Sequence, residues 1–437
     1  MEIDKTTLSD LGIFSKGDDH SIFEKLNLTR TVRGKEQMLH DFSEPLKDKQ
    51  AIIATQDVLK FIGSKLHQWP DIITNGSLIM IEKFYLSNID TIPSQPNILS
   101  VKTYKIFSKH DFMLVKYSVG HMIDFMRGMK LFVHHFLTPD TPVLLREILE
   151  EIEKETAKPE FSKISIDKQN SNLTDAEMLR LASFFRMRYK HSLNRLVALY
   201  GRLDAWYSMA LCAKNFHLNY PKIKDDKPTF YAEGLRHPML DNPVSYDLQL
   251  DRQKNFLFLT GANMGGKSTF IKAVGIAVFL AHLGMAVPAQ HMTLSVFDGL
   301  LSNINVMDDI NRGESYFFNE VKRIRQTIHK ISRQKNWLIL IDELFKGTNV
   351  QDAMKCSTEV IEGFKKMHDS LFLLSTHLYE LAPEMKKYDN ILFKYFEAHS
   401  NNGQLEFSYQ LLDGVSNDRL GYLIMEREGV VKLLKEL

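Results

Sequence analysis

The chain has 437 residues, enough for more than one folded domain, and its composition (44% hydrophobic, 25% charged) is that of a globular protein. It carries 55 basic and 54 acidic residues, so bulk electrostatic attraction to nucleic acid is excluded and any such binding must use local patches. Two distant cysteines, Cys212 and Cys356, exclude a disulfide framework and have no metal-ligand spacing. They predict a reduced, cytoplasmic protein.

Two features argue against secretion and against membrane insertion. The first ten residues, MEIDKTTLSD, lack the basic and apolar regions of a secretory signal. The longest apolar run, residues 273–289, contains His282 and Pro288, and it is shorter than the roughly 20 residues of a membrane-spanning helix. We expect no membrane association, and we expect this run to form a buried helix.

Helical periodicity dominates the first half of the sequence. Apolar residues recur at helical spacing in segments 49–66, 112–136, 141–155 and 175–214. Polar or proline-containing stretches separate these segments. We therefore predict an all-α domain over residues 1–215.

The second half alternates between strand-like and helical segments. The strand-like runs are residues 255–260, 337–341, 371–375 and 391–395. Strands that alternate with helices are typical of a mostly parallel sheet flanked by helices. We predict such an α/β domain over residues 216–437.

A glycine-rich loop joins the first of these strands to a helix. It reads Gly261, Ala262, Asn263, Met264, Gly265, Gly266, Lys267, Ser268, Thr269, which fits the phosphate-binding pattern G-x-x-x-x-G-K-[ST]. Its glycines let backbone N–H groups surround phosphate oxygens, and the helix N-terminus adds a positive dipole end. Lys267 would contact the β- and γ-phosphates and Ser268 would bind Mg²⁺, so ATP and Mg²⁺ are the predicted cofactors.

Two further strands end in polar residues that suit hydrolysis. Residues 337–341 run into Asp342, a candidate second Mg²⁺ ligand, and Glu343, a candidate to position and deprotonate the attacking water. Residues 371–375 lead to His377, and the carboxyl edge of a parallel sheet faces the ligand crevice. We predict that His377 senses the γ-phosphate, with a structural role as the alternative.

These motifs resemble those of the MutS family of DNA mismatch-repair ATPases, relatives of the ABC-type ATPases. The loop TGANMGGKST is similar to the family's version, with Ala262 in place of a proline. Residues 308–320, DDINRGESYFFNE, resemble the signature D-D-x-x-x-G-x-S-T-F-x-x-E, with Tyr316 in place of the threonine. Residues 342–352 and 375–381 are similar to the family's D-E-x-x-x-G-T-x-x-x-D and T-H-x-x-E-L blocks.

The resemblance implies an ABC-like ATPase domain preceded by an all-α lever, or core, domain, to which residues 27–35 and 195–216 are similar. It implies a homodimer through the ATPase domains, in which Ser315 closes over the γ-phosphate bound to the opposite subunit. It also implies that Tyr409 stacks on adenine, although a core tyrosine is the alternative.

The lever-like segment begins at residue 27. We therefore expect a short form that lacks the family's mismatch-reading and connector domains, with at most a reduced clamp between residues 100 and 190. A Phe-x-Glu triplet at residues 42–44 spells the family's mismatch wedge, but it lies inside the lever-like segment and is interpreted as accidental.

The remaining question is whether the chain binds DNA. Arg186, Arg188 and Lys190 alternate with aromatic residues, which suits either a phosphate-tracking stripe or an amphipathic helix whose arginines lie along a buried face. One hypothesis is an ATP-gated dimer that binds mismatched, branched or non-specific duplex DNA in mismatch repair or recombination control. Its ATPase activity would depend on DNA, and a repair protein could be its partner. The other hypothesis is an ATPase switch that gates a protein partner without binding DNA. A P-loop kinase is disfavoured by the signature block and the Asp-Glu pair, because a kinase does not need a serine from a second subunit.

Overall fold

The computed structural model describes residues 1–14, 21–166, 173–225, 228–262, 264–304, 316–332, 336–401, 404–416, 425 and 429–435. The chain divides into two compact units. The sheet unit comprises Met1–Leu26, Glu44–Ile53 and Asn215–Leu437, and the helical unit comprises Asn27–Ser43 and Ala54–Lys214.

The elements up to residue 215 are, in chain order, β1 (Glu2–Ile3), α1 (Lys5–Asp10), α2 (Ile22–Leu26), α3 (Val32–Ser43), α4 (Lys49–Ser64), α5 (Asn75–Leu86), α6 (Ile98–Phe107), α7 (Lys109–Phe136), α8 (Val143–Thr156), α9 (Asp175–Met187) and α10 (Lys190–Asn215). The later elements are β2 (Lys222–Lys224), β3 (Thr229–Leu235), β4 (Tyr246–Asp251), β5 (Phe256–Gly261), α11 (Lys267–Ala281), β6 (His291–Ser295), β7 (Gly299–Asn303), α12 (Tyr316–Ile331), β8 (Trp337–Asp342), α13 (Val350–Phe364), β9 (Leu371–Ser375), α14 (Ala382–Met385), β10 (Ile391–Asn401), β11 (Gln404–Asp413) and α15 (Val430–Lys435). Single 3₁₀ turns lie at Leu66–Gln68, Pro159–Phe161 and Tyr379–Leu381.

The sheet unit contains a seven-stranded sheet of order β1-β7-β8-β9-β5-β10-β11. Its pairs are parallel except for the antiparallel pair of β10 and β11. A second, four-stranded sheet has the order β2-β6-β3-β4. The predicted α/β class with a mostly parallel main sheet is therefore confirmed for this unit.

The helix behind the glycine loop is buried against the main sheet. Residues 273–281 of α11 are fully buried, as the apolar run predicted, but the helix ends at Ala281 and the rest of the run is not helical. A Cβ atom at Gly275 would lie 2.6 Å from Leu340 Cδ1 of β8. Glycine at this position therefore lets the helix approach the strand closely.

The predicted domain boundaries need a correction at the N-terminus. Residues 1–26 and 44–53 were assigned to the all-α domain, but they lie in the sheet unit. The reason is a set of pairings far apart in the sequence, which periodicity does not reveal. Strand β1 extends the main sheet beside β7, and Asp10 accepts hydrogen bonds from Ser302 Oγ at 2.5 Å and from Ile304 N at 3.0 Å.

The helical unit contains helices alone among its described elements, and a buried carboxylate fastens its first helix to its last. Asp204 of α10 is fully buried and accepts hydrogen bonds from the backbone N–H groups of Arg30 and Thr31, both at 2.9 Å, and from Thr31 Oγ1 at 2.6 Å. A Cβ atom at Gly34 of α3 would lie 2.1 Å from Asp204 Oδ2, so glycine leaves room for this carboxylate.

We predict that Asp204→Ala destabilises the helical unit strongly. The substitution leaves two backbone N–H groups without their acceptor, and each such buried group costs about 1–3 kcal/mol. Chemical denaturation should show a free energy of unfolding lower by at least ~2 kcal/mol. Asp71→Ala is the control, because it removes an exposed ion pair to Arg30 whose expected contribution is below about 1 kcal/mol. Equal effects of the two substitutions would contradict the anchoring role.

Candidate functional site

A cavity of about 420 Å³ lies in the sheet unit at the carboxyl ends of the parallel strands. Strand register places these ends together, because Ser375 pairs with Leu259 on one side and with Asp342 on the other. The predicted site residues that line the cavity are Ala262, Met264, Gly266, Lys267, Ser268, Thr269, Asp342, Glu343 and Tyr409. The fold thus gathers predicted residues that are up to 147 positions apart, from Ala262 to Tyr409.

The loop between β5 and α11 has the backbone conformation that its glycines permit. Gly261 has φ +133° and Gly266, the residue before α11, has φ +101°. A Cβ atom on Gly261 would lie 2.7 Å from the carbonyl oxygen of Phe396, so no other residue fits there without a shift. Gly265 lies in the same loop, while Asn263 falls outside the described residues.

Lys267 occupies the first position of α11 and its side chain folds back over the loop. Its Nζ donates hydrogen bonds to the carbonyl oxygens of Gly261 at 2.7 Å and Ala262 at 3.0 Å. Burial lowers the pKa of Lys267, and the carboxylates of Glu343 and Asp342 oppose this shift. The ammonium group therefore lies between the loop and two acidic side chains, where a phosphate would meet it.

Asp342 accepts hydrogen bonds from the hydroxyl groups of two neighbouring elements. Ser268 Oγ donates to Asp342 Oδ2 at 2.5 Å, and Ser375 Oγ donates to Asp342 Oδ1. Hydroxyl and carboxylate oxygens are hard donors of the kind that Mg²⁺ prefers, together with phosphate oxygens and water. Within the described residues, no group of three or more His, Cys, Asp or Glu side chains is arranged to hold a metal ion.

Glu343 follows Asp342 in a strained turn and points its carboxylate toward cationic groups. Its φ is +63°, and its backbone N–H donates to Ser375 O at 2.9 Å. Its two carboxylate oxygens lie 3.5 Å from His377 Nδ1 and 3.3 Å from Lys346 Nζ. Burial raises the pKa of Glu343, but the hydrogen bond with His377 and the charges of Lys346, His377 and Lys267 outweigh it and lower this pKa to about 2. The side chain is therefore an ionised acceptor at neutral pH.

Apolar and aromatic side chains also line the cavity. Tyr409 of β11 has φ +52° and a side chain that lies 3.4 Å from the position of a Cβ on Gly266. Leu240, Val244 and Tyr246 line the cavity as well and were not predicted. Leu240 and Val244 precede β4, and Tyr246 begins it. No motif or spacing in the sequence marks them, so their position at the cavity is apparent only from the tertiary structure.

The structure does not place Ser315, because residues 305–315 lie outside the described part of the chain. The helix predicted to follow it is present as α12, which begins at Tyr316. The role of Ser315 stays a prediction.

The family model of MutS domain V matches residues 257–434, which contain the cavity residues described above except those before β5. This part of the chain is therefore similar to MutS proteins. The DNA mismatch repair protein MutS of Pseudothermotoga lettingae is 30% identical over 246 residues, which are 55% of this chain and 30% of that protein. MutS of Listeria monocytogenes is 30% identical over 254 residues (57% and 29%), and MutS of Shouchella clausii is 29% identical over 250 residues (56% and 28%). The match therefore spans less than a third of the length of these curated relatives.

We predict that Tyr409 contacts a nucleotide base. Replacing Tyr409 by alanine should raise the Kd for ATP roughly fivefold, the equivalent of about 1 kcal/mol of lost ring contact, whereas Tyr409→Phe should keep the affinity. Titration calorimetry with ATP and with inorganic tripolyphosphate separates the base from the phosphates. An equal loss of affinity for tripolyphosphate would contradict base contact and show that Tyr409 supports the structure of the site instead.

Proposed function

We propose that this chain binds ATP with Mg²⁺, hydrolyses it, and acts as an ATP-gated, DNA-binding homodimer in mismatch repair or recombination control. The observation that carries the proposal is the contact between Ser268 Oγ and Asp342 Oδ2 at 2.5 Å. It brings the glycine-rich loop to the acidic end of β8, so that the Ser268 hydroxyl and the Asp342 carboxylate could both bind a cation held by the nucleotide.

The chain's own residues divide the reaction between them. Backbone N–H groups of the loop and the Lys267 ammonium group bind the phosphates, and they favour the charge that develops as the terminal phosphoryl group leaves. Ser268 and Asp342 would hold Mg²⁺, which neutralises phosphate charge when it is bound.

Glu343 would accept a hydrogen bond from the attacking water and orient it toward the γ-phosphate. Its lowered pKa, near 2, keeps the carboxylate ionised at neutral pH and therefore able to accept this hydrogen bond. His377 lies within 3.5 Å of Glu343, and its side chain is 53% exposed, so it can hold the carboxylate while remaining open to a ligand.

We predict that Lys267→Ala and Glu343→Ala separate ATP binding from hydrolysis. Loss of Lys267 removes the positive charge against the phosphates, so the Kd for ATP should rise. Loss of Glu343 leaves the loop intact, so ATP should bind normally while turnover falls by ~10²–10⁴. Equilibrium binding and single-turnover hydrolysis measure the two effects. Wild-type turnover by Glu343→Ala would remove Glu343 from the mechanism.

The shared active site is part of the same proposal. A two-fold dimer through the ATPase domains would bring Ser315 and the N-terminus of α12 to the γ-phosphate held by the opposite subunit. The serine in the signature block and the start of α12 at Tyr316 support this arrangement.

We propose that the helical unit is the lever, or core, domain that nucleotide state moves, and that the protein acts in the cytoplasm. Within the described residues, none of the helices has both the length and the apolar character needed to cross a bilayer.

The basic stripe contains two kinds of side chain, which changes how DNA binding should be tested. Arg186 donates hydrogen bonds to the carbonyl oxygens of Phe84 at 2.6 Å and Ser87 at 2.9 Å, so it holds the end of α5. Arg188 and Lys190 are exposed. The interpretation of an arginine along a buried face therefore fits Arg186, while the other two residues are the candidates for phosphate contact.

We predict that DNA binding is electrostatic and independent of sequence, and that replacing Arg188 and Lys190 together by alanine weakens it. The slope of log K against log salt should flatten by roughly 0.9 for each lost phosphate contact. Fluorescence anisotropy with homoduplex, mismatched and four-way-junction DNA measures this slope, and ATPase rates with the same DNAs test coupling. The control is the double substitution of exposed Lys366 and Lys386 in the sheet unit. No binding of any DNA at low salt would contradict the DNA-binding part of the proposal.

A further inference from the structure

A second acidic residue, Glu320 of α12, is buried beside the turn that carries Glu343. Its side chain is only 2% exposed. Its carboxylate accepts backbone hydrogen bonds from Lys346 N at 3.4 Å and from Gly347 N at 3.5 Å, and Phe345 N also points to it. Successive N–H groups that converge on one anion form a nest.

The turn needs such support because its backbone is strained. Glu343 has φ +63° and Phe345 has φ +58°, a region that costs a non-glycine residue energy unless its surroundings impose it. Three contacts impose it here. Ser375 O accepts the Glu343 N–H, the Phe345 ring lies 5.8 Å from the Phe317 ring of α12, and Glu320 accepts the N–H groups at the far end of the turn.

Lys346 links the two carboxylates. Its backbone N–H donates to Glu320 while its Nζ lies 3.3 Å from Glu343 Oε2. A shift of the turn away from Glu320 would therefore move both the backbone of Glu343 and the ammonium group that faces its carboxylate. Burial raises the pKa of Glu320, and the backbone hydrogen bonds oppose that rise, as expected for a carboxylate held by N–H dipoles.

We propose that Glu320 is a positioning residue for hydrolysis: its buried carboxylate holds the 343–347 turn so that Glu343 of the same chain faces the cavity. The inference rests on the proposed ATPase function and deepens it. Glu320 lies five residues after Ser315, for which the resemblance implies a role in the opposite subunit's site. The structure assigns Glu320 to its own chain's site.

The kinetic test compares Glu320→Ala and the near-isosteric Glu320→Gln with Thr327→Val, which alters another buried polar residue of α12. For Glu320→Ala we expect kcat to fall by ~10–100-fold, the cost of a small displacement of a reacting group, with the Kd for a non-hydrolysable ATP analogue within about twofold of wild type. Glu320→Gln keeps one acceptor oxygen, so its kcat should lie between those of the wild type and Glu320→Ala. This variant also keeps the test possible if the alanine variant does not fold. Thr327→Val should retain the wild-type kcat. A wild-type kcat in both Glu320 variants, or equal losses of kcat and affinity, would overturn the proposal.

Mixing experiments then locate the defect in one half of the shared site. Lys267→Ala mixed with Ser315→Arg is the reference, and it should regain part of the activity if the site is shared. Glu320→Ala should regain activity when mixed with Ser315→Arg, because the heterodimer then contains one site with an intact loop, an intact Glu343 turn and an intact serine. It should regain none when mixed with Lys267→Ala.

The opposite pattern of rescue would place Glu320 with the signature serine and overturn the proposal, and so would rescue by neither partner. If the reference mixture itself regains nothing, the shared-site part of the proposed function fails. The role of Glu320 is then decided by the comparison of kcat with Kd alone.

Discussion

The parallel register of three strands is the constraint on which the site depends. Ser375 at the end of β9 pairs with Leu259 of β5 and with Asp342 of β8, so the residues that follow the three strands emerge side by side. The phosphate loop, the acidic pair and His377 are those residues. Asp342 then connects all three elements, since it accepts hydroxyl groups from Ser268 and Ser375. A slip of any strand by one residue would also turn its buried side chains to the opposite face of the sheet, so core packing fixes the site.

Backbone strain is concentrated at this edge of the sheet. Among the described residues, the non-glycine positions with positive φ are His217, Met264, Glu343, Phe345 and Tyr409, and all but His217 lie in the cavity wall or in the adjoining turn. Each such conformation costs of order 1–3 kcal/mol and persists only where neighbours enforce it. For Glu343 and Phe345 the enforcing groups are the buried apolar cluster that contains Leu344 and Phe345 and the carboxylate of Glu320. Packing of the sheet thus stabilises strained backbone that positions a few polar groups, a pattern typical of functional sites.

Local patterns in the sequence predicted the elements that depend on local chemistry. The glycine loop, the apolar strand ending in Asp342 and the long helices α7 and α8 all appear where periodicity and motif predicted them. The helical periodicity over residues 175–214 corresponds to two helices, α9 and α10, and the Tyr189 ring between them packs against Phe161 and Phe184. The place of residues 1–26 in the sheet unit was missed, since β1 pairs with a strand almost 300 positions away. The apolar cavity wall and Glu320 also depend on such long-range contacts.

The central claim is that two chains form a homodimer through their ATPase domains with a nucleotide in each, and the mass of the Glu343→Ala variant tests it most directly. This variant should hold ATP without turning it over, so the ATP-bound state persists during the measurement. Sedimentation with Mg²⁺ and ATP should give a species of twice the 50.6 kDa chain mass with one nucleotide per chain. A species of the single-chain mass with ATP bound would contradict the claim.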